Sequence, residues 1–169
     1  CDTFRIPIVS LVDEPGFLIG PDAERAGTIL HGTEAVLATT ESKVPWSTIM
    51  IRKSFGVAAA AHYGPDGYVL AWPSAESGPL PLEGGVAVAF KKEIASAKNP
   101  EAKRKELEEK MAKNQSPFPR AEGFSVHEII DPRETRKYIA LWAERIQSQL
   151  KASLMLSLIH ISEPTRRST

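Results

Sequence analysis

The feature that most constrains this chain is the alternation of short apolar, β-branched runs with stretches of helical periodicity. Ile6 to Val12 is mostly apolar and rich in isoleucine and valine, which suits a strand buried on both faces of a sheet. Asp13-Glu14-Pro15-Gly16 reads as a turn, and Phe17-Leu18-Ile19-Gly20 leads out of it. Between Asp22 and Thr40, Ala26, Ile29, Leu30, Thr33, Val36, Leu37 and Thr40 recur at helical spacing. That spacing predicts an amphipathic helix, with Gly27 and Gly32 permitting close packing. Ser47 to Ile51 reads as a second strand. Gly56 to His62 is an Ala-rich stretch that opens a short helix, and Tyr68 to Trp72 is a third strand ended by Pro73. Strand and helix in alternation predict an α/β fold.

The second half is more charged. Glu83-Gly84-Gly85 opens a helical segment through Phe90. Asn99 is placed to cap a helix that begins at Pro100 and runs about four turns. Glu101–Lys105, Glu106–Lys110 and Glu109–Lys113 stand four apart in the favourable order. Only Leu107 and Met111 give it an apolar stripe, which predicts a solvated helix or an oligomer contact. His127 to Ile130 is a short strand. Asp131, Pro132 and Glu134 then match the N-cap, N1 and N3 positions of a last helix. Its buried face is Ile139, Trp142, Ala143, Ile146 and Leu150. Residues 153–169 break that pattern and are expected to be a non-native read-through tail. The chain has no initiator methionine and meets its first strand at once, so Cys1 is expected to be a cut.

Composition narrows the function by exclusion. Basic and acidic residues balance at 21 each, which argues against a whole-surface footprint for nucleic acid. A single cysteine, Cys1, allows no internal disulfide and no thiol metal site. No apolar run approaches the length of a membrane span. His31, His62, His127 and His160 show no metal-ligand spacing. There is no nucleophile elbow, phosphate loop or dinucleotide glycine fingerprint. Asp13 and Glu14 are adjacent and point apart on an extended chain, which favours turn capping over acid–base work. The notable chemistry is backbone chemistry. Ile49 to Ser54 is a strand, and Gly56-Val57-Ala58-Ala59-Ala60 enters a helix on small residues. N–H groups at a helix start lack intrahelical partners and favour an anion; the same residues also fit an Ala-rich helix packed in a core.

Several motifs in one order carry a resemblance. Cys1-Asp2-Thr3-Phe4-Arg5-Ile6-Pro7-Ile8 is followed by Val12-Asp13-Glu14-Pro15-Gly16-Phe17-Leu18-Ile19-Gly20. Then come Ile29-Leu30-His31-Gly32, Arg52-Lys53-Ser54-Phe55-Gly56, Ala71-Trp72-Pro73-Ser74-Ala75 and Asp131-Pro132-Arg133-Glu134-Thr135-Arg136. Together they resemble the carboxyltransferase (β-type) subunits of biotin-dependent acyl-CoA carboxylases, over about residues 1–150. The resemblance implies a crotonase-like superhelix of ββα units, with residues 1–152 as the later part of the second of two such domains.

It also implies a chemistry. In that family carboxybiotin, on a carrier domain, delivers its carboxyl to the α-carbon of an acyl-CoA. Backbone N–H pairs stabilise the resulting oxyanions. By position, the resemblance puts the donor amides at Val57 and Ala58, and the cofactor contacts at Gly16, Phe17 (through its carbonyl) and Gly56. It puts the substrate-specificity positions at Ala59 and Ala60. The cofactor implied is biotin on a partner, with no metal in this segment. The implied partners are an acyl-CoA, the biotin carboxyl carrier, a biotin carboxylase subunit and further copies of the carboxyltransferase subunit. The implied location is the cytoplasm, or a mitochondrial matrix. Three departures stand out. Val57 replaces a common glycine, Ala59-Ala60 replaces a Tyr-Asp pair of propionyl-CoA-type members, and Leu18-Ile19-Gly20 lacks a proline. A biotin-dependent decarboxylase of the same family, a non-catalytic scaffold subunit and a crotonase-group hydratase remain alternatives.

Overall fold

A computed structural model describes residues 1–152; the expected read-through tail, residues 153–169, lies outside them. Strands β1 (Ile8–Glu14) and β2 (Trp46–Phe55) are joined through helices α1 (Pro21–Arg25) and α2 (Thr28–Thr40). Helix α3 (Gly56–Ala60) follows β2 directly and leads to β3 (Tyr68–Ala71) and β4 (Glu76–Gly78). Helices α4 (Leu82–Ala89), α5 (Lys91–Ser96), α6 (Pro100–Gln115) and α7 (Pro117–Glu122) come next. β5 (Glu128–Ile129), a 3₁₀ turn at Pro132–Glu134 and α8 (Thr135–Arg145) end the described chain.

All recorded strand pairings are parallel, in the order β1-β2-β3-β5, with β4 also on β2. β2 exceeds the expected Ser47–Ile51 because it serves two partners in turn. Ser47–Met50 pair with β3, and Lys53–Phe55 pair with β4. Trp46 through Met50 are all buried, as a central strand covered on both faces requires. The period of two separates the two cores. Met50, Val69 and Ala71 pack with Ala75 and Val126 on one side, and Ile49 and Leu70 pack with Ile130 on the other.

β1 corrects the expectation of burial on both faces. Val12 is fully buried, whereas Val9 and Leu11 are exposed, because β1 is the outer strand among the described residues. The expected turn at Asp13-Glu14 is displaced as well, since the strand runs through both and the turn begins at Pro15. Helix α2 departs further. The segment from Asp22 is interrupted at Gly27, which takes φ 72°, a left-handed value that ends one helix and starts the next. Ile29, Leu30 and Leu37 are exposed, and α2 buries Gly32 and Thr39 instead. The anchoring face of α2 is thus its small-residue face.

In the second half, Asn99 accepts from the Ala102 N–H as a cap of α6. The ion pairs of α6 among the described residues are Lys103–Glu93, Lys103–Glu106 and Arg104–Glu108, not the pairs its spacing favours. Leu107 is buried and Gln115 donates to the Leu80 carbonyl, so α6 is docked on the body rather than merely solvated. Asp131 caps as expected by accepting from the Arg133 N–H, but it caps the 3₁₀ turn, and α8 starts at Thr135. Trp142 and Ile146 are its buried residues. Short elements with little periodicity, β4, α5 and α7, have no counterpart in the sequence reading.

Candidate active site

The register of β1 on β2 decides which loops meet. Leu11 pairs with Ile49 and Val12 with Met50, then a bulge shifts the ladder so that Glu14 pairs with Ser54. The loop leaving β1 at Pro15-Gly16-Phe17 therefore starts beside the point where β2 turns into α3. The register brings Gly16 and Phe17 to the same end of the sheet as Gly56, Val57 and Ala58. Ligand sites of open parallel sheets lie outside such carboxyl ends.

The β1 loop is held by its own residues. The Asp13 carboxylate accepts from Arg52 Nε at 3.1 Å and from the Lys53 N–H at 3.2 Å, and Arg52 Nη2 lies 3.0 Å away. The hydrogen bonds from the Arg52 guanidinium hold the Asp13 carboxyl below the usual carboxylate range. Glu14 Oε1 accepts from the Gly16 N–H at 2.9 Å. Both carboxylates thus brace a turn and neither faces a proton-transfer partner. The Phe17 ring lies on α2 at Gly32, with Cε1 2.7 Å and Cε2 2.8 Å from where a Cβ would stand.

The start of α3 is equally fixed. Phe55, at the N-cap, is extended and offers no side-chain hydrogen bond, so the N–H groups of the first turn are not capped by a side chain. Gly56 takes φ 65°, a left-handed value that favours glycine; a Cβ there would stand 3.4 Å from the Pro79 carbonyl. Val57 is 64% exposed, whereas Ala58 and Ala59 are 3% and 5% exposed. Ala60 is exposed. Of the two expected specificity positions, Ala59 turns its methyl into the protein, leaving Ala60 on the surface.

Polar side chains hold the end of α3 from behind. Thr39 Oγ1 donates to the Ala61 carbonyl at 2.9 Å, and Thr48 Oγ1 donates to the His62 carbonyl at 2.8 Å. Ser10 Oγ and His62 Nδ1 are 3.1 Å apart, and Ser54 Oγ and the Tyr63 hydroxyl 2.8 Å. Burial pushes the Tyr63 hydroxyl above its ordinary range. Sequence reasoning gave Asp13 a turn-capping role and missed its cross-strand bond to Arg52, and it missed Thr39 and Thr48 as supports. The pairing of Asp13 with Arg52 spans two strands and has no local signal. The threonines could be suspected only because β-branched polar residues sat in otherwise buried stretches.

A cavity of about 690 Å³ lies at the opposite end of the sheet, lined in part by Lys43, Trp46, Tyr68, Trp142 and Arg145. Trp46 and Tyr68 begin β2 and β3, so none of the expected site residues reaches it. No helix among the described residues is long and apolar enough to cross a membrane.

Residues 1–155 match the family described as "Carboxyl transferase domain". The chain is 42% identical over 144 residues to the methylmalonyl-CoA carboxyltransferase 12S subunit of Propionibacterium freudenreichii subsp. shermanii, covering 83% of this chain and 28% of that protein. It is 37% identical over 157 residues to the propionyl-CoA carboxylase carboxyltransferase subunit of Haloferax mediterranei, covering 90% of this chain and 30% of the relative. It is 38% identical over 144 residues to the methylmalonyl-CoA decarboxylase subunit alpha of Propionigenium modestum, covering 82% of this chain and 28% of the relative. A crystal structure of the transcarboxylase 12S hexamer, with methylmalonyl-coenzyme A bound, superposes with TM-score 0.79 at 36% identity, over 100% of this chain and 31% of that one. The chain spans less than a third of the length of these relatives.

Proposed function

The chain belongs to the carboxyl transferase domain family, and we propose from that premise that it forms the biotin-side half of an acyl-CoA carboxyltransferase site. The observation that carries the reading is the Glu14–Ser54 register, which sets the Phe17 loop beside the uncapped first turn of α3. The crotonase-like, parallel α/β fold supplies these two loops at one sheet end.

Biotin, carried on a partner, supplies the activated carboxyl group that is passed to the α-carbon of an acyl-CoA. The residues present fit that cofactor. Gly56 and Ala58 let a planar amide-like ring approach the backbone, and the Val57 side chain narrows that approach. The Val57 and Ala58 N–H groups would stabilise negative charge on a ureido oxygen. Such preorganised donors are worth about 3 kcal/mol each in the transition state. Gly16 and the Phe17 carbonyl would hold the cofactor near its reacting nitrogen. No side-chain base is needed here, which agrees with Asp13, Glu14 and His62 all being engaged in structural bonds.

The acyl-CoA class follows from the relatives, whose names specify propionyl-CoA and methylmalonyl-CoA. Ala59 and Ala60 are the positions in this segment assigned to acyl selection, and of the two only Ala60, the last residue of α3, is exposed. Biotin carboxyl carrier, biotin carboxylase and further copies of the subunit are the proposed partners; the superposed 12S protein is itself a hexamer. Decarboxylation is the second reading, favoured by the Propionigenium modestum relative. A full-length subunit supplied with carboxybiotin and propionyl-CoA should form methylmalonyl-CoA. Net flow only from methylmalonyl-CoA to biotin would select the decarboxylase. Absence of exchange in both directions would favour the scaffold reading, and hydration of an enoyl-CoA the hydratase.

A further inference from the structure

The Phe17 loop is anchored unequally along its length. Before Phe17, the Asp13 clamp and the Glu14–Gly16 hydrogen bond hold the backbone. After it, Leu18 and Ile19 are 76% and 83% exposed. The ring of Phe17 is therefore the last firm contact before α1, and it rests on Gly32. Three ring carbons, Cζ closest of all, lie nearer to the would-be Cβ of Gly32 than any real side chain permits. Glycine inside a helix is less stable than alanine, and α2 carries that penalty at the one residue where the ring lands.

We infer that Gly32 is a positioning residue for carboxyl transfer: by leaving room for the Phe17 ring, it sets the direction of the Phe17 carbonyl. The inference rests on the assignment of that carbonyl to the biotin side. The ring and the carbonyl belong to one residue, so a displacement of the ring larger than χ1 and χ2 can absorb turns the peptide that presents the carbonyl. A methyl group on Gly32 would lift the ring by a substantial fraction of an atomic diameter. Misplacement of a reacting partner by about 1 Å costs on the order of 100-fold in rate.

The test uses the full-length subunit and steady-state transfer from carboxybiotin to propionyl-CoA. Gly32→Ala should reduce turnover on the order of 100-fold and raise KM for carboxybiotin, with KM for the acyl-CoA unchanged. Phe17→Leu keeps the carbonyl but loses the ring, and should cost less. In the double variant the added methyl fills space the ring has vacated, so its rate should match Phe17→Leu. A folded Gly32→Ala enzyme with normal kinetics overturns the inference. So does a double variant in which the two losses multiply, or an equal rise in both KM values. Should Gly32→Ala fail to fold, the double variant against Phe17→Leu makes the same decision: equality supports the coupling and a further loss overturns it. The wider assignment fails separately, through a folded Ala58→Pro enzyme that transfers carboxyl at the normal rate.

Discussion

Both ends of the sheet use an aromatic ring on a bare glycine. At the carboxyl end Phe17 rests on Gly32, and at the amino end Trp46 rests on Gly64, with Cδ2 2.5 Å and two further ring atoms closer to the would-be Cβ. The surroundings differ. Trp46 is the first residue of β2 and is itself buried. Its indole N–H donates to Ser42 Oγ at 2.9 Å, and Asp2 accepts from Ser42, Lys43 and Val44 around it. The amino end is tied together by these hydrogen bonds, beside the cavity that Trp46 and Lys43 help to line. The carboxyl end fixes two loops just as tightly yet leaves the first turn of α3 without a side-chain cap. The same packing device stands beside a hydrogen-bonded corner in one place and beside the proposed backbone site in the other.

Two substitutions should break the two ends in opposite ways. Ala58→Pro removes an N–H in the first turn of α3, where no intrahelical bond is lost, although its ring enters a site only 3% exposed. It should lower carboxyl transfer per folded enzyme by about 100- to 1,000-fold, beyond an overpacking cost of about 1–3 kcal/mol. Gly64→Ala drives a methyl into the Trp46 ring and should destabilise by about 1–3 kcal/mol. Turnover per folded Gly64→Ala enzyme should stay normal. Activity assays paired with thermal melts separate the cases. If Ala58→Pro lost stability rather than rate, or Gly64→Ala lost rate rather than stability, the contrast between the ends would collapse.

The contrast was only partly legible in the sequence. The alternation of β-branched runs and helical stretches was enough for the α/β fold; that its strands run parallel came from the structure, where Ser47 and Thr48 of β2 are buried beside Ile49 and Met50. Motif order was enough for the family; the roles proposed for Gly16, Phe17, Gly56, Val57 and Ala58 rest on position within it. Long-range geometry was not legible. Nothing local in Asp13 announces Arg52 as its partner, since that pair is created by strand register and a bulge. The apolar stripe of α2 pointed to the wrong face, because the helix docks through Gly32 and Thr39 while Ile29, Leu30 and Leu37 lie outside. Hydrophobic periodicity cannot distinguish a face buried within a domain from one left open.

Acidity offers a smaller lever on both ends. Asp2 is depressed mainly by the Lys43 N–H and Asp13 mainly by the Arg52 side chain. A carboxyl whose folded pKa lies below its unfolded value stabilises fully above the unfolded pKa of about 3.9, and loses that stabilisation as pH falls through the folded pKa. Stability should therefore decline on acidification below about pH 4. Asp2→Asn and Asp13→Asn should each flatten part of that decline in melts recorded against pH. Because both carboxylates are exposed, the effects should be modest and reduced by salt. At neutral pH only Asp13→Asn should also weaken carboxybiotin binding, since Asp2 lies at the amino end of the sheet, away from the proposed site. Equal loss of binding in both variants would show that the ends are coupled.

The smallest effect is expected at Val57, and it sharpens what presentation of backbone means. Its side chain is 64% exposed, so removing it forfeits little packing. Valine is already a poor helix former, and glycine in a helix is less stable by only a fraction of a kcal/mol. The N–H survives the change. Val57→Gly should thus leave Tm within a few degrees, the scale of a sub-kcal/mol change in a domain of this size. Carboxyl transfer should hold or rise slightly as the approach to the amide widens. His62→Ala, which gives up the hydrogen bond to Ser10, should cost about 1 kcal/mol of stability and leave transfer largely intact. Both would be measured beside Ala58→Pro in one preparation. If Val57→Gly abolished transfer in a folded enzyme, the valine side chain would be acting directly. The reading of this end as a backbone site would then fail at the residue where it makes its mildest demand.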